Sequence, residues 1–107
     1  MSRSKMHLIG SLDALYWAMV DSSHAALMAA KQVPPSPEHI PQLLNDVFVK
    51  KGMLNSKYVD WYKEIYAVAH HLSHGETANI TGKFIEMYQE RADKFIGEMA
   101  NLVKKLE

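Results

Sequence analysis

The stretch YQERADKFIGEMANLVKKL, residues 88–106, decides the fold of this chain. Its apolar side chains recur at alternating steps of four and three residues: Tyr88, Ala92, Phe95, Met99, Leu102 and Leu106. Such a seam predicts an amphipathic helix that packs along a neighbouring helix. A second apolar stripe lies beside it, formed by Ile85, Ile96 and Val103. We expect another copy of the chain to cover that second stripe, so the pattern predicts a homodimer.

Three earlier segments have the same helical period. The first covers about residues 6–31 and ends before a run of prolines, which cannot continue a helix. The second begins near Ile40 and ends at Lys50-Lys51-Gly52, and the third runs from Asn55 or Ser56 to about Ser73. No segment alternates apolar and polar residues for long enough to form a strand. The sequence therefore predicts an all-α fold, an antiparallel up-down helical bundle of four or five helices, in one domain covering residues 1–107.

Composition excludes several classes of protein. The 107 residues include 12 basic and 12 acidic side chains, whereas proteins that track phosphate backbones with their whole surface concentrate positive charge. A local basic patch remains open. Without cysteine there is no disulfide, thiolate zinc site or cysteine nucleophile, which fits a cytoplasmic protein. No apolar run approaches the roughly 20 residues that span a bilayer, so we expect no membrane association.

Histidines cluster in the segment HHLSHGE, residues 70–76. On a helix His70 and His74 lie about 40° apart, which is workable spacing for one metal ion. A structural zinc takes four ligands and a catalytic zinc three, and His71 and Glu76 are the only neighbours that could add to the pair. The alternatives are imidazoles that cover the carbonyls of a helix C-terminus, or groups that act on RNA or a nucleotide. We predict no bound metal and no cofactor.

Aromatic side chains interleave with lysines just before this cluster. Tyr58, Trp61, Tyr62 and Tyr66 stand beside Lys57 and Lys63, a pattern that suits base stacking with phosphate contacts. The same pattern describes core aromatic residues beside lysines whose stems lie on the apolar surface. The tyrosines share the apolar face, so we assign them to the core. Trp61 points elsewhere and is the candidate for an interface, while Arg91 either meets a ligand or pairs with a neighbouring acid.

The order of segments resembles a known family. Ala25-Ala26-Leu27 lies in a long helix, Pro35-Ser36-Pro37-Glu38-His39 follows, and then comes Val47-Phe48-Val49-Lys50-Lys51-Gly52-Met53-Leu54. Together with the last amphipathic helix, this pattern over about residues 12–106 resembles HEPN domains, small bundles named for nucleotide binding in prokaryotes and higher eukaryotes. The resemblance implies a bundle of four or five helices and a homodimer. It also implies RNA or a nucleotide as ligand, or a small nucleotidyltransferase as protein partner.

Catalytic members of that family carry an arginine and, four to six residues later, a histidine near the end of the third major helix. Here the segment 63–74 contains no arginine; Lys63 precedes His70 by seven residues. Lysine lacks the planar fork with which arginine holds phosphate. We therefore predict a non-catalytic protein that binds a nucleotide, RNA or a protein partner. The alternatives are a metal-independent ribonuclease and a pure interaction module. The residues expected to act in catalysis are His70, His74 and Lys63, and those expected to bind a ligand are His71, Glu76, Trp61 and Arg91.

Overall fold

A computed structural model describes the backbone of residues 3–73 and 82–107, and the side chains of 12–70 and 82–107. Three long helices dominate: α1 (Arg3–Ala29), α3 (Ser56–Ser73) and α4 (Gly82–Leu106). The short helix α2 (Ile40–Leu44) lies between a 3₁₀ turn at Pro37–His39 and a π-helical turn at Asn45–Val49. Within these ranges every regular element is helical and none is a strand, which confirms the all-α prediction. No described helix combines the length and apolar character that a bilayer crossing requires.

Two helical segments end with the same hydrogen-bond geometry. After α1, the N–H of Gln32 donates to Leu27 O at 2.9 Å, and Lys31 adopts a left-handed φ of 63°. After the π turn, the N–H of Met53 donates to Phe48 O at 2.9 Å, and Gly52 has φ 72°. Both are Schellman endings, which normally use glycine because it has no Cβ to clash. The predicted stop at Gly52 is confirmed, whereas α1 ends two residues earlier than predicted.

The core follows the predicted seam of α4. Its buried members include the five expected residues Tyr88, Ala92, Phe95, Met99 and Leu102. Leu106, the sixth, is 37% exposed at the end of the helix. α4 packs most extensively against α1, and Phe95 also meets Tyr62 of α3, with ring centroids 6.2 Å apart. The second stripe is divided: Ile85 is buried, while Ile96 and Val103 are half-buried.

The proline segment between α1 and α2 accepts contacts from side chains of two long helices, α1 and α3. His24 Nε2 lies 2.8 Å from the carbonyl oxygen of Pro35, and the Tyr62 hydroxyl donates to the carbonyl oxygen of Pro37 at 2.8 Å. Tyr62 is fully buried. Because prolines 34, 35 and 37 lack backbone donors, these side-chain contacts to carbonyls tie down a segment that has few backbone bonds of its own. They fix α2 against α1 and α3.

Candidate functional site

One side of α3 carries a row of near-parallel rings. The rings of Tyr62 and Tyr66 stack with centroids 6.4 Å apart at 17°, and those of Tyr66 and His70 with centroids 5.8 Å apart at 11°. Residues four apart on a helix lie one above the other, so the spacing 62, 66, 70 builds this row. The outer part is accessible: Tyr66 is half-buried and His70 exposed. Lys63, seven residues before His70, lies on the same side, because seven residues make almost two full turns of a helix.

Residues of α1 face the outer rings of this row across a small cavity. Asp13, Tyr16 and Trp17 lie opposite Tyr66 and His70, and they enclose about 180 Å³. The ring planes of Tyr16 and Tyr66 meet at 56°, and those of Tyr16 and Trp17 at 64°, so the aromatic walls stand at steep angles to one another. Trp17 is 49% exposed, which is unusual for so large an apolar side chain. The cavity therefore offers open aromatic faces to a planar guest.

A larger and more polar cavity of about 540 Å³ adjoins the first. Glu38, Gln42 and Asn45 line it from the segment around α2; Asp60 and Lys63 are among the residues that line it from α3. Tyr66 lines both cavities, which are therefore neighbours. We call the two cavities together the α3 groove. One end is aromatic, and the other carries carboxylates, amides and one ammonium group.

Two tyrosine hydroxyls, those of Tyr16 and Tyr62, lie next to the groove. The Tyr62 hydroxyl donates its single proton to the carbonyl oxygen of Pro37. Burial raises the pKa of Tyr62 well above its ordinary value, and the neighbouring Tyr16 raises it further. Burial, followed by the nearby Tyr66, also raises the pKa of Tyr16. Both hydroxyls therefore stay protonated at neutral pH and hold the floor of the groove in place.

Two predicted ligand-binding residues lie together on the other side of α3. Trp61 is half-buried, and the guanidinium of Arg91 lies over its ring at 5.3 Å from the centroid. Arg91 is also ion-paired with Glu64 and lies over Tyr88. Lys57 also lies over the indole ring, with its Nζ 5.6 Å from the ring centroid. Arg91 thus takes the ordinary alternative considered for it, an ion pair with a neighbouring acid.

Three predicted residues lie outside the described side chains. His71 belongs to the described backbone of α3, but His74 and Glu76 belong to a segment that the structure does not describe. The expected proximity of His70 to His74 therefore also involves this segment. Among the described side chains, no group of three histidines or carboxylates could hold a metal ion.

The groove also contains residues that the sequence analysis did not single out. Asp13 and Trp17 belong to α1. Trp17 falls outside the apolar stripe of that helix, and this position is the sequence signal that could have identified it as a candidate binding residue. Tyr66 was assigned to the core with Tyr58 and Tyr62, and that assignment holds fully only for Tyr62. Tyr66 lies at the edge of the apolar face, where the shape of the neighbouring helices decides how much of a ring is covered.

No family model matches the chain, and no curated protein or solved structure is significantly similar to it.

Proposed function

We propose that this chain is a HEPN-like, antiparallel helical bundle that binds a nucleobase-bearing ligand, a nucleotide or an RNA base, in the α3 groove without catalysis. The observation that carries the proposal is the pair of near-parallel rings, Tyr66 and His70, opposite the exposed Trp17. Stacking of a base on aromatic side chains contributes about 1–3 kcal/mol per base. A base in the aromatic end would leave its sugar in the polar end, near Lys63.

The charged groups favour binding over chemistry. The segment 63–74 lacks an arginine, and Arg91 is engaged by Glu64 on the opposite side of α3. Lys63 makes no ion pair with another residue of the described chain, but a lone ammonium group is a weak clamp for a phosphate in a transition state. These observations support a groove that holds a ligand and does not cleave it.

Fluorescence of a single tryptophan tests the binding proposal. The chain has two tryptophans, so Trp61→Phe leaves Trp17 as the only indole. We expect AMP or GMP to quench Trp17 in a saturable way, since the base would lie against it. Tyr66→Leu in this background should weaken binding at least about tenfold, because it removes one stacking surface. Tyr58→Leu is the matched control, a half-buried tyrosine of the same helix outside the groove. Equal loss in both variants, or no quenching at all, contradicts the proposal.

Product analysis distinguishes binding without catalysis from the ribonuclease alternative. Mixed RNA incubated with the wild-type chain in the presence of a metal chelator should stay intact if the groove only binds. Cleavage that disappears in His70→Ala and in His74→Ala would instead establish the metal-independent ribonuclease. Cleavage that persists in both variants comes from another source.

A second proposal concerns a protein partner, with a second copy of this chain as the first choice and a small nucleotidyltransferase as the next. It is favoured by a shallow, mainly apolar groove of about 420 Å³ between α1 and α4, lined among others by Ala25, Ile96 and Val103. Lys104 and Glu107 supply one charge of each sign there, which a two-fold related copy could match. Sedimentation across a range of concentrations tests it. A dimer that Ala25→Glu dissociates supports it, and a monomer at high concentration contradicts the homodimer.

A further inference from the structure

The α3 groove is lined by more acidic than basic side chains. Asp13 lines its aromatic end, and Glu38 and Asp60 line its polar end. Among the residues that the structure describes, Lys63 is the only lysine or arginine that lines either cavity. The described lining residues thus supply three carboxylates and one ammonium group, a formal net charge of −2 with histidine counted as neutral. The whole chain is neutral, so this charge belongs to the groove itself.

Such a lining suits the sugar of a nucleoside better than a phosphate. Carboxylates accept hydrogen bonds from ribose hydroxyls, and the side chains of Gln42, Asn45 and Ser56 add neutral donors and acceptors in the same cavity. A phosphate in that position would lie near the carboxylates of Glu38 and Asp60, and like charges repel one another at short distance. Lys63 offsets only one of these charges.

The aromatic end adds to the same preference. Its electron-rich ring faces attract positive edges and cations, and Asp13 can accept hydrogen bonds from amino and imino groups of a base. None of the described side chains in this cavity carries a fixed positive charge. A ligand that fills both ends is therefore favoured when it is planar at one end, rich in hydrogen-bond donors and without negative charge.

We infer that the α3 groove selects an uncharged nucleoside over its phosphorylated forms and over polyanionic RNA. The inference rests on the proposed function, since it assumes that a base occupies the aromatic end. It narrows that function to the recognition of a nucleoside, the class of compound released when a phosphate ester is removed from a nucleotide. Affinity should then fall as phosphates are added, the reverse of what a basic nucleotide site shows.

Titration calorimetry with adenosine, AMP and ATP measures this order directly. A metal chelator is included, because a divalent cation would neutralise the phosphates. At low salt we expect adenosine to bind at least about tenfold more tightly than ATP, a difference of about 1.4 kcal/mol. Raising the salt to about 0.5 M should narrow the ratio, because screening weakens the repulsion of the phosphates while the stacking remains.

A charge-neutralising variant tests whether the groove itself is the cause. Glu38→Gln/Asp60→Asn should lower the ratio of adenosine affinity to ATP affinity at least about fivefold, because it removes two charges that repel the phosphates and replaces two carboxylate acceptors of the ribose hydroxyls with weaker amide acceptors. Glu90→Gln/Asp93→Asn is the matched control, two exposed acids of α4 that line neither cavity. It changes the net charge equally and should leave the ratio of the two affinities unchanged.

Each outcome separates the inference from the proposed function. If ATP binds as tightly as adenosine or more tightly, the charge inference is overturned and the base-binding proposal stands. If the control variant changes the ratio as much as Glu38→Gln/Asp60→Asn does, overall charge is the cause and the inference again fails. If no member of the series binds, both fail together.

Discussion

The two sides of α3 carry similar chemistry and use it differently. On the side toward α4, Arg91 pairs with Glu64 and lies over Trp61. On the groove side, the rings of Tyr66 and His70 border a cavity, and Lys63 has no ion-pair partner among the described residues. Where a neighbouring helix brings an aromatic ring, a cation and an acid into contact, these groups therefore stabilise the packing of the helices. They are accessible to a ligand where the neighbouring helices leave a gap.

The largest expected effect comes from the hydroxyl beneath the groove. Tyr62→Phe removes the donor to the carbonyl oxygen of Pro37 and leaves that half-buried oxygen without this partner. We expect a loss of about 1–3 kcal/mol in the free energy of unfolding, measured by urea denaturation followed by circular dichroism. Tyr66→Phe is the matched control on the open part of the groove, and we expect it to change stability by less than about 0.5 kcal/mol. Equal effects would mean that the two tyrosines do not differ in role.

Alkaline pH should act through the same hydroxyls. Burial raises the pKa of Tyr62, whereas a tyrosine of the unfolded chain titrates near 10. The unfolded state then releases a proton that the folded state retains, so stability is fully present below about pH 10 and falls as the pH rises above it. Tyr62 should contribute a loss of about 1.4 kcal/mol per pH unit in that range.

Urea denaturation at a series of pH values from 8 to about 11.5 measures this loss. The wild-type slope above pH 10 should be steeper than that of Tyr62→Phe, in which this proton is absent. Parallel slopes would show that the hydroxyl titrates equally in the folded and unfolded chains.

A smaller effect is expected on the side toward α4. The ion pair of Arg91 and Glu64 is partly exposed, with 27% and 51% of the two side chains accessible, and such pairs contribute about 0.2–1 kcal/mol. A double-mutant cycle with Arg91→Met and Glu64→Gln should return a coupling energy in that range, reduced by salt. Nucleoside affinity should not change in either variant. A loss of ligand binding in Arg91→Met would move the site to this side of α3.

The smallest expected change in stability is at Lys63. Its side chain is exposed and pairs with no described acid, so Lys63→Gln should alter the free energy of unfolding by less than about 0.5 kcal/mol. If the same substitution alters ligand binding, the two sides of α3 differ in role, because the groove side would then affect affinity with little effect on stability. A stability loss larger than that of Arg91→Met would contradict the contrast.

Helix ends show where sequence reasoning succeeds and where it stops. The ending at Gly52 was predicted because glycine adopts a positive φ without strain. The ending of α1 has the same geometry with Lys31, whose left-handed backbone costs roughly 1–2 kcal/mol. Because lysine does not favour this conformation, its side chain gives no signal that predicts the ending. The π-helical turn at Asn45–Val49 was likewise not predicted, because the apolar spacing of this short segment is compatible with an ordinary helix.

The candidate site divides in the same way. The alignment of Lys63 with His70 was predictable, because seven residues make two helical turns. The contact of the Arg91 guanidinium with the Trp61 ring was not predictable, because the two residues are thirty positions apart in the chain. Asp13 and Trp17 reach the groove from a helix that ends more than twenty residues before α3 begins. Only packing brings these side chains together.

The sequence by itself determined the helical fold, the buried seam of α4 and the row of residues 62, 66 and 70, because period and helix-ending residues act within a few turns of chain. The tertiary structure decided which rings of that row are covered and which stay open, and it placed Asp13 and Trp17 across from them. Exposure at the edge of an apolar stripe depends on the distance and angle of the next helix. Those quantities arise from contacts between residues far apart in the chain, which no local pattern encodes.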